Sequence, residues 1–271
     1  MSEEVVLITG ASSGIGRACA RLLHGAGYRV RGASRGRQAA GQEREPFETI
    51  QMDVDSDASV AAGVGLVLER EGRIDALINC AGYALAGPAE ETSIAEVRAQ
   101  LETNFFGSLR TANAVLPHMR ERRRGRIINM GSIAGLVAVP FHAFYSASKF
   151  ALEGWTEALR SEVRAHGIHV SLIEPGDYRT GFSDNRRFAA GSKQSKAYGE
   201  VMNRAVEVMY RSEQAAPPPD DIARLALKIL RARSPRLRYF CGPWLQRITP
   251  PLRWLLPASL YEWSIRAYYG M

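Results

Sequence analysis

Cysteine is scarce in this sequence, and long apolar runs are missing. Only three cysteines occur in 271 residues, Cys19, Cys80 and Cys241, and none forms a CxxC pair. An odd, scattered count argues against a disulfide framework or a zinc site and fits a reducing compartment. No apolar run reaches the ~18 residues that a membrane-spanning helix needs, and the polar start does not resemble a signal peptide. We therefore expect a cytoplasmic protein without a metal site.

Acidic residues are outnumbered, since 28 Asp and Glu against 35 Lys and Arg give a net charge of +7. A basic surface could attract nucleic acid, anionic lipid or a phosphorylated cofactor. The densest arginine group, from Arg120 to Arg126, contains no aromatic residue that could stack on a base. We interpret it as a solvated helix end and expect no nucleic-acid partner.

Short β-branched apolar runs alternate with longer segments in which apolar residues recur every three or four positions, as in Val97–Met119 and Phe144–His166. This alternation is typical of a parallel sheet covered by helices. We predict an α/β fold with a doubly wound parallel sheet of about seven strands and helices on both faces. The six runs identified as strands are Val5–Thr9, Tyr28–Ala33, Glu48–Met52, Ala76–Asn79, Arg126–Met130 and Val170–Glu174.

No repeat or low-complexity segment divides the chain, so we expect a single domain over residues 1–271. Asp220 follows three prolines at 217–219 and is predicted to cap the N-terminus of a helix. The polar segment 183–216 is interpreted as an insert that forms a lid over the substrate. Residues 244–271 are interpreted as a C-terminal helical extension.

The first strand is joined to the next helix by a glycine-rich turn, Thr9-Gly10-Ala11-Ser12-Ser13-Gly14-Ile15-Gly16. Gly10 permits a sharp turn, Gly14 lets backbone amides approach a pyrophosphate, and Gly16 lets the helix pack on the strand. The helix N-terminus supplies free N–H groups and the positive end of its dipole. The turn therefore predicts a dinucleotide site, and Ser12, Ser13 and Ile15 are further candidates for cofactor binding.

The spacing Gly-x3-Gly-x-Gly resembles that of the classical short-chain dehydrogenase/reductases. Their first motif, Thr-Gly-x3-Gly-x-Gly, is matched here at every fixed position. The resemblance extends over about residues 4–182 and includes six motifs in the expected order. It implies a Rossmann-type fold, a nicotinamide cofactor and a catalytic set that contains tyrosine and lysine.

The end of the second strand indicates which nicotinamide cofactor is used. An acid there would bond the ribose 2′-hydroxyl of NAD and would repel a 2′-phosphate. Ser34 stands at this place and is followed by Arg35. A hydroxyl beside a guanidinium suits a phosphate, so we predict NADP(H). A solvated loop charge remains the alternative for Arg35 and, with more weight, for Arg37.

The resemblance implies further contacts with the adenosine half of the cofactor. Asp53 would hold the adenine amino group, and Val54 would pack on the ring. Asn79-Cys80-Ala81-Gly82 matches the family's Asn-Asn-Ala-Gly motif with one change. The cofactor-binding candidates from these two motifs are Asp53, Val54, Asn79, Ala81 and Gly82. Cys80, which replaces the second Asn, is expected to be a small buried apolar residue.

Tyr145 and Lys149 match the family's Tyr-x3-Lys motif. Residues at i and i+4 share one helix face, so both side chains can point into one cleft. A cation ~4–5 Å away and an oxidised nicotinamide would lower the pKa of the phenol from its usual value near 10. We therefore expect Tyr145 to be the general acid/base. The resemblance also implies that Lys149 bonds the nicotinamide ribose.

Ser132 lies 13 residues before Tyr145, as in the family, and its hydroxyl would donate to the substrate oxygen. The family usually has Ser-Ser where this chain has Gly131-Ser132. Asn104 matches the family's Asn-x2-Gly motif, which implies that it bends its helix and holds a water linking Lys149 to solvent. A helical Asn that bonds its own backbone is the alternative.

Pro175, Gly176 and Thr180 match Pro-Gly-x3-Thr, a motif that in the family lies against the nicotinamide. The resemblance implies that Thr180 bonds the carboxamide. Tyr178 fills a variable position of the motif and could shape the pocket. His142 could touch substrate, but we expect an exposed loop histidine.

Apolar residues near these motifs predict an apolar carbonyl or alcohol substrate, such as a steroid, retinoid, fatty or aryl ketone. They are Leu85, Leu136, Val137, Phe141, Phe144 and Phe182, and core packing would explain them equally well. The segment Trp244–Met271 mixes Trp, Tyr and Leu with arginine, so it could lie on a membrane, cap the core or contact another subunit. The resemblance implies a homodimer or homotetramer.

The motifs together favour an NADP(H)-dependent carbonyl reductase or alcohol dehydrogenase in which Asn104, Ser132, Tyr145 and Lys149 are catalytic. A catalytically silent NADP(H)-binding sensor or scaffold protein is the second hypothesis. A peripheral membrane or nucleic-acid protein is the third, and only the basic charge supports it.

Overall fold

A parallel sheet forms the centre of the computed structural model, which describes residues 4–36, 45–183 and 185–271. Within these residues the strands are β1 Val5–Thr9, β2 Arg29–Ser34, β3 Glu48–Gln51, β4 Ala76–Asn79, β5 Leu85–Ala86, β6 Gly125–Met130, β7 Ile168–Pro175, β8 Arg187–Phe188 and β9 Arg238–Cys241. Seven of them pair in the order β3-β2-β1-β4-β6-β7-β9, all in parallel, while β5 pairs with β8. The order runs outward in both directions from β1, which confirms the predicted doubly wound α/β fold.

The described helices are α1 Gly14–Gly25, α2 Asp57–Glu71, α3 Ile94–Leu101, α4 Gly107–Glu121, α5 Ala143–Val163, α6 Gly199–Ala215, α7 Asp220–Arg231, α8 Trp244–Leu255 and α9 Ala258–Tyr268. Helices α1 and α7 cover one face of the sheet, and α2, α4 and α5 cover the other. Val6 and Ile8 of β1 belong to the first core, and Val5 and Leu7 to the second. A strand buried on both faces explains the continuous apolar run.

All six predicted strands are present, but the pattern did not identify β9. Among the described strands it pairs with β7 alone, so it forms an edge of the sheet. Three of its four residues are only partly buried, and its first residue is Arg238. Because an edge strand need not be apolar on both faces, it carries no continuous hydrophobic run.

The predicted helix Val97–Met119 is wrong as a single element. The chain forms α3, then a π-helical turn over Glu102–Phe106, then α4. A π turn adds one residue without breaking the helix, so the apolar spacing on either side still looks continuous. The turn places Asn104 almost fully inside the protein, at 1% exposure.

The prediction for Asp220 also needs correction, because the N-cap of α7 is Pro219 and Asp220 is already the first helical residue. Asp220 and Asp221 both lie in the first turn, where their charge is favourable against the helix dipole. The N-cap of α7 is therefore one residue earlier than predicted, and the predicted helix itself is present.

The segment interpreted as a lid contains β8, a short 3₁₀ turn over Ala190–Gln194 and α6. The segment interpreted as a C-terminal extension contains α8 and α9. The roles of both segments stay predictions. Among the described helices, none combines the length and apolarity needed to cross a membrane.

Candidate active site

The glycine turn leaves the N-terminus of α1 open towards the carboxyl edge of the sheet. Gly10 and Gly14 have φ of +66° and +52°, a left-handed conformation that favours glycine. A Cβ on Gly16 would overlap the carbonyl oxygen of Gly10, so any other residue at this position would push the helix away from the turn. Ser12 and Ser13 are exposed, and the Ser13 side chain caps no N–H of the helix. These features suit an anion such as a pyrophosphate.

Thr9 ties the ends of β1 and β4 together, a role that the sequence analysis missed. Its Oγ1 accepts hydrogen bonds from the N–H groups of Cys80, at 3.0 Å, and Ala81, at 3.1 Å. A Cβ on Gly10 would lie 2.9 Å from the backbone of Ala81. The two strand ends therefore touch, which brings the glycine turn beside the Asn-Cys-Ala-Gly motif.

Asn79 lies behind this edge rather than on it, at 3% exposure. Its Nδ2 donates to Asn129 Oδ1 at 2.9 Å, and its Oδ1 accepts from Thr111 at 2.7 Å. Asn129 in turn donates to Thr156 of α5 at 2.9 Å. The side chain of Asn79 thus joins β4, β6 and α4, which leaves only its backbone available to a nucleotide. Cys80 is half-buried and contacts the buried thiol of Cys19.

The end of β2 presents a hydroxyl and a guanidinium. Ser34 Oγ donates to the carbonyl of Gly36 at 2.9 Å, and Arg35 is exposed. The charge of Arg35 acts on the carboxyl of Asp55, two residues after Asp53, so it lies near the predicted adenine site. Arg37 falls outside the described residues.

Asp53 and Val54 follow β3 on the same edge. Asp53 Oδ1 accepts from the N–H of Asp55 at 3.1 Å and so shapes its own loop. Val54 is 6% exposed and packs on Gly107, where a Cβ would lie 2.8 Å from it. An uncapped helix N-terminus, an end of β2 without a carboxylate and an exposed arginine form a donor set that fits a nicotinamide dinucleotide with a phosphorylated ribose.

The four predicted catalytic side chains lie close together. Lys149 Nζ is 5.8 Å from the centre of the Tyr145 ring, and it donates to the carbonyl of Met130 at 2.7 Å. The hydroxyl of Ser132 hydrogen-bonds the Tyr145 phenol. Asn104 Nδ2 donates to Ser148 Oγ at 3.2 Å, next to Lys149 in sequence. The π turn, the end of β6 and helix α5, which carry these residues, therefore meet at one place.

Asn104 is already bonded on both ends of its amide. Its Nδ2 also donates to the carbonyl of Tyr83 at 3.0 Å, and its Oδ1 accepts from the N–H of Tyr83 at 3.1 Å. A Cβ on Gly82 would lie 3.1 Å from that Oδ1. Asn104 therefore fastens the π turn to the loop after β4. Its side chain bonds Tyr83 and Ser148 and not the backbone of its own helix, which was the alternative considered from the sequence.

Burial controls the protonation of the tyrosine and lysine. Burial raises the pKa of Tyr145 to about 12, although the hydrogen bond from Ser132 opposes this. Burial lowers the pKa of Lys149 to about 8, although the charge of Glu174 opposes this. The pKa of Tyr145 therefore shifts in the direction opposite to the one expected from the nearby cation. In this structure Tyr145 is a neutral phenol, the form that donates a proton.

The loop after β7 faces the glycine turn across a narrow gap. A Cβ on Gly14 would lie 3.6 Å from the Cβ of Thr180, whose Oγ1 accepts from the N–H of Phe182 at 3.2 Å. The N–H of Gly176, after Pro175, donates to the carbonyl of Cys241 at 2.9 Å. Tyr178 does not shape the pocket, because it is 5% exposed and packs in the core below α1 and α7.

Polar residues surround Tyr145 where the sequence suggested mainly apolar ones. Phe182 packs on Tyr145 with ring centres 5.7 Å apart, as an apolar wall requires. Arg186, however, is 8% exposed and donates to Glu213 at 2.5 Å, and the charge of Glu213 acts on Tyr145. The segment interpreted as a lid thus contains a buried ion pair whose carboxylate acts on the predicted catalytic tyrosine, which apolar patterning could not indicate.

His142 is not an exposed loop residue, contrary to the prediction. It is 4% exposed, and its ring lies edge-on to Tyr145 with centres 6.2 Å apart. Its Nδ1 has no hydrogen-bond partner among the described residues. Burial, assisted by the charge of Arg186, lowers the pKa of His142 to about 3.

The model of the short chain dehydrogenase family matches residues 4–190 of this chain. A 3-ketodihydrosphingosine reductase of Bacteroides thetaiotaomicron is 37% identical over 277 residues, which cover all of both chains. A 17-beta-hydroxysteroid dehydrogenase type 1 of Mus musculus is 37% identical, over 89% of this chain and 74% of its own. A short-chain dehydrogenase of Streptomyces avermitilis has a structure with a TM-score of 0.83 and 34% identity, with 97% of each chain covered.

Two further solved structures contain bound cofactor. A metagenomic short-chain oxidoreductase in complex with NADP is 29% identical with a TM-score of 0.69, and covers 89% of this chain and 97% of its own. A short chain dehydrogenase/reductase of Burkholderia phymatum in complex with NAD is 25% identical with a TM-score of 0.79. The match covers 97% of this chain and 95% of that protein. Similar proteins thus bind either dinucleotide.

Replacing His142 should change how stability depends on pH. The folded protein holds His142 neutral down to about pH 3, whereas the unfolded chain binds its proton below about pH 6.5, so acid favours unfolding. Between pH 7 and pH 5 the wild type should lose about 2 kcal/mol more unfolding free energy than His142→Asn. Urea unfolding at several pH values measures this. The exposed His24→Asn should behave like wild type, and equal slopes in all three proteins would contradict the prediction.

Proposed function

The chain belongs to the short-chain dehydrogenase family, and we propose that it is an NADP(H)-dependent enzyme that interconverts an apolar ketone and its secondary alcohol. The observation that carries the proposal is the convergence of Ser132, Tyr145 and Lys149 beside the glycine turn. A binding protein without catalysis would have no need of a phenol, a hydroxyl and a lysine in one cluster.

In the reductive direction, bound NADPH would supply a hydride to the carbonyl carbon. Ser132 would hold the carbonyl oxygen, on which negative charge grows during the reaction. Tyr145 would give that oxygen its proton, which a phenol with a pKa of about 12 retains until it is needed. Lys149, with a pKa of about 8, would return a proton to the phenolate, and Asn104 would fix the loop beside it.

Preference for NADP over NAD is supported by the end of β2. Ser34 presents no carboxylate that would repel a 2′-phosphate. Arg35 is exposed, so its guanidinium is free to contact such a phosphate. Both cofactors occur among similar proteins, so this local chemistry is the basis of the proposal.

An apolar ketone is supported by the names of two relatives, a 3-ketodihydrosphingosine reductase and a 17-beta-hydroxysteroid dehydrogenase. Phe182 beside Tyr145 would supply an apolar contact. The buried pair of Arg186 and Glu213 supports a substrate that carries, in addition, a polar group near its carbonyl.

We also propose a homodimer or homotetramer, formed through α4 and α5. Phe106 and Phe150, at the ends of this surface, are 43% and 37% exposed. Large apolar side chains with this exposure are favourable when a second subunit covers them.

The C-terminal helices are proposed to lie on a membrane surface while the rest of the protein remains in the cytoplasm. Trp244, Leu245, Ile248 and Leu255 share one face of α8, and all are exposed. Residues 244–271 contain three arginines against one glutamate, which favours anionic lipid. On its inner side α8 contacts the site loops, because Gln246 bonds Asp177 at 2.6 Å. An apolar substrate could therefore pass from lipid to the cleft.

Tyr145→Phe tests the chemistry directly. Without the phenolic proton, kcat for ketone reduction should fall by about 10²–10⁴-fold, while the Kd for NADPH stays unchanged. Stopped-flow assays on long-chain, steroid and aryl ketones, with fluorescence titration of NADPH, measure both. A wild-type protein that binds NADPH tightly but reduces no ketone would instead favour the sensor or scaffold hypothesis.

Arg35→Ala and Ser34→Asp test the cofactor preference. Loss of a charge-assisted bond to the 2′-phosphate should weaken NADPH binding by about 10–100-fold and leave NADH unaffected. Ser34→Asp should shift the preference towards NADH, because its carboxylate repels the phosphate. Arg120→Ala, at the opposite edge of the sheet, is the matched control. If wild type prefers NADH, the proposed cofactor is wrong, although the enzyme assignment stands.

Membrane contact is tested by co-sedimentation with vesicles of phosphatidylcholine, with and without phosphatidylserine, at low and high salt. Binding should require the anionic lipid and weaken with salt, since screening reduces attraction between arginine and lipid. The triple change Trp244→Ser, Leu245→Ser and Leu255→Ser should abolish it, whereas Ile94→Ser, also exposed at 66%, should not. Loss of a dimer in the triple variant without any vesicle binding would assign this surface to a second subunit.

A further inference from the structure

Two carboxyl groups lie buried directly behind Ser132. Glu174, at the end of β7, is 0% exposed, and Glu153, on α5, is 5% exposed. Glu174 Oε2 accepts from the N–H of Ser132 at 2.8 Å, and Glu153 Oε2 accepts from Arg238 Nε at 2.8 Å. Each carboxyl thus has one satisfied oxygen, while Oε1 of both residues has no hydrogen-bond partner among the described residues.

The two unpartnered oxygens belong to neighbouring side chains that act on each other electrostatically. Ionised carboxylates only accept hydrogen bonds, so two of them cannot satisfy one another. One proton between Glu174 and Glu153 supplies the missing donor and removes one buried charge. Arg238 forms an ion pair with Glu153 at 2.7 Å, whereas Glu174 forms none among the described residues, so we assign the proton to Glu174. Burial, followed by the charge of Glu153, accordingly raises the pKa of Glu174 well above its usual range.

Gly131 explains why this carboxyl can approach the strand end. A Cβ at Gly131 would lie 2.6 Å from the carboxyl carbon of Glu174 and would overlap its Oε1. The N–H of Gly131 donates to Ile173 of β7 at 2.8 Å, so the backbone cannot move away cheaply. Any side chain at position 131, including the serine that the resembled family usually has there, therefore conflicts with Glu174.

We propose, on the basis of the reductase activity proposed above, that Glu174 is a positioning residue that shares a proton with Glu153 and holds Ser132 towards Tyr145. Glu174 touches neither substrate nor cofactor. It fixes the backbone N–H of Ser132, and Ser132 carries the hydroxyl that bonds the phenol. Gly131 is part of the same arrangement of Glu174, Glu153 and Ser132, because its missing side chain provides the space that the Glu174 carboxyl occupies.

Substitutions at Glu174 separate positioning from general stability. Glu174→Ala should lower kcat by about 100-fold, as expected for a displaced catalytic group, with little change in the Kd for NADPH. Glu174→Gln keeps an oxygen for Ser132 and replaces the shared proton by an N–H, so it should recover at least about tenfold of that loss. Glu162→Gln, an exposed residue of α5, is the matched control and should retain wild-type kcat. Equal kcat in wild type and Glu174→Ala would overturn the proposal.

A compensating pair tests the role of Gly131. Gly131→Ser alone should lower both kcat and the thermal unfolding temperature, because its Cβ overlaps the carboxyl of Glu174. The double variant Gly131→Ser with Glu174→Ala removes the overlap, so Gly131→Ser should cause no further loss there and the double variant should match Glu174→Ala in kcat. Independent, multiplicative losses in the double variant would show that the two positions do not act together, which contradicts the proposal.

The shared proton has a readout that does not depend on turnover. Infrared spectra at neutral pH should contain the carbonyl stretch of a protonated, buried carboxyl, and Glu174→Gln should remove it. Absence of this band from the wild type would overturn the proton-sharing step. If wild type binds NADPH but reduces no ketone, the proposed function fails, and the infrared and unfolding results still decide whether Glu174, Glu153 and Gly131 form this arrangement.

Discussion

The close approach of the ends of β1 and β4 is the constraint on which the rest of the site depends. Thr9 bonds two consecutive N–H groups of the chain after β4, and Gly10 lies against Ala81 with no space for a side chain. Because parallel strands end at the same edge, this contact fixes where the N-terminus of α1 points. The same edge receives Ser132 from the end of β6 and Thr180 from the loop after β7. The glycine turn and the candidate catalytic cluster are therefore positioned by the same sheet.

Burial of charge is the second physical theme, and it connects groups that are far apart in sequence. Tyr145 is held as a neutral phenol, Lys149 has a lowered pKa, and Glu174 retains a proton, each mainly because water is excluded. Lys149 and Glu174 oppose each other's shift, so neither can change its charge without affecting the other. A site with these properties can hold a proton at the phenol and resupply it from the lysine near neutral pH.

The sequence predicted what depends on local pattern and missed what depends on contacts across the fold. Apolar runs identified six of the seven strands of the main sheet, including the edge strand β3, because burial leaves a signal in each run. The edge strand β9 and the π turn at Glu102–Phe106 leave no such signal. His142 and Tyr178 were misjudged for the same reason, because α7 and the lid bury them only after folding. The replacement of serine by Gly131 was visible in the sequence, but only Glu174, 43 residues later, gives it a cause.

Segments outside the main sheet contribute charge and contacts around Tyr145, so specificity can arise apart from the sheet. The end of β6 and helix α5 place Ser132 and Tyr145, and they would do so whatever the substrate. Arg186 and Glu213, in the segment interpreted as a lid, form by contrast a buried ion pair whose carboxylate acts on the phenol. Helix α8 holds Asp177 through Gln246, and Arg253 donates to the carbonyl of Leu136. A change in residues 183–216 or in α8 would therefore alter the charge and shape around Tyr145 without touching the sheet, so under the proposed function substrate choice could vary while the chemistry is retained.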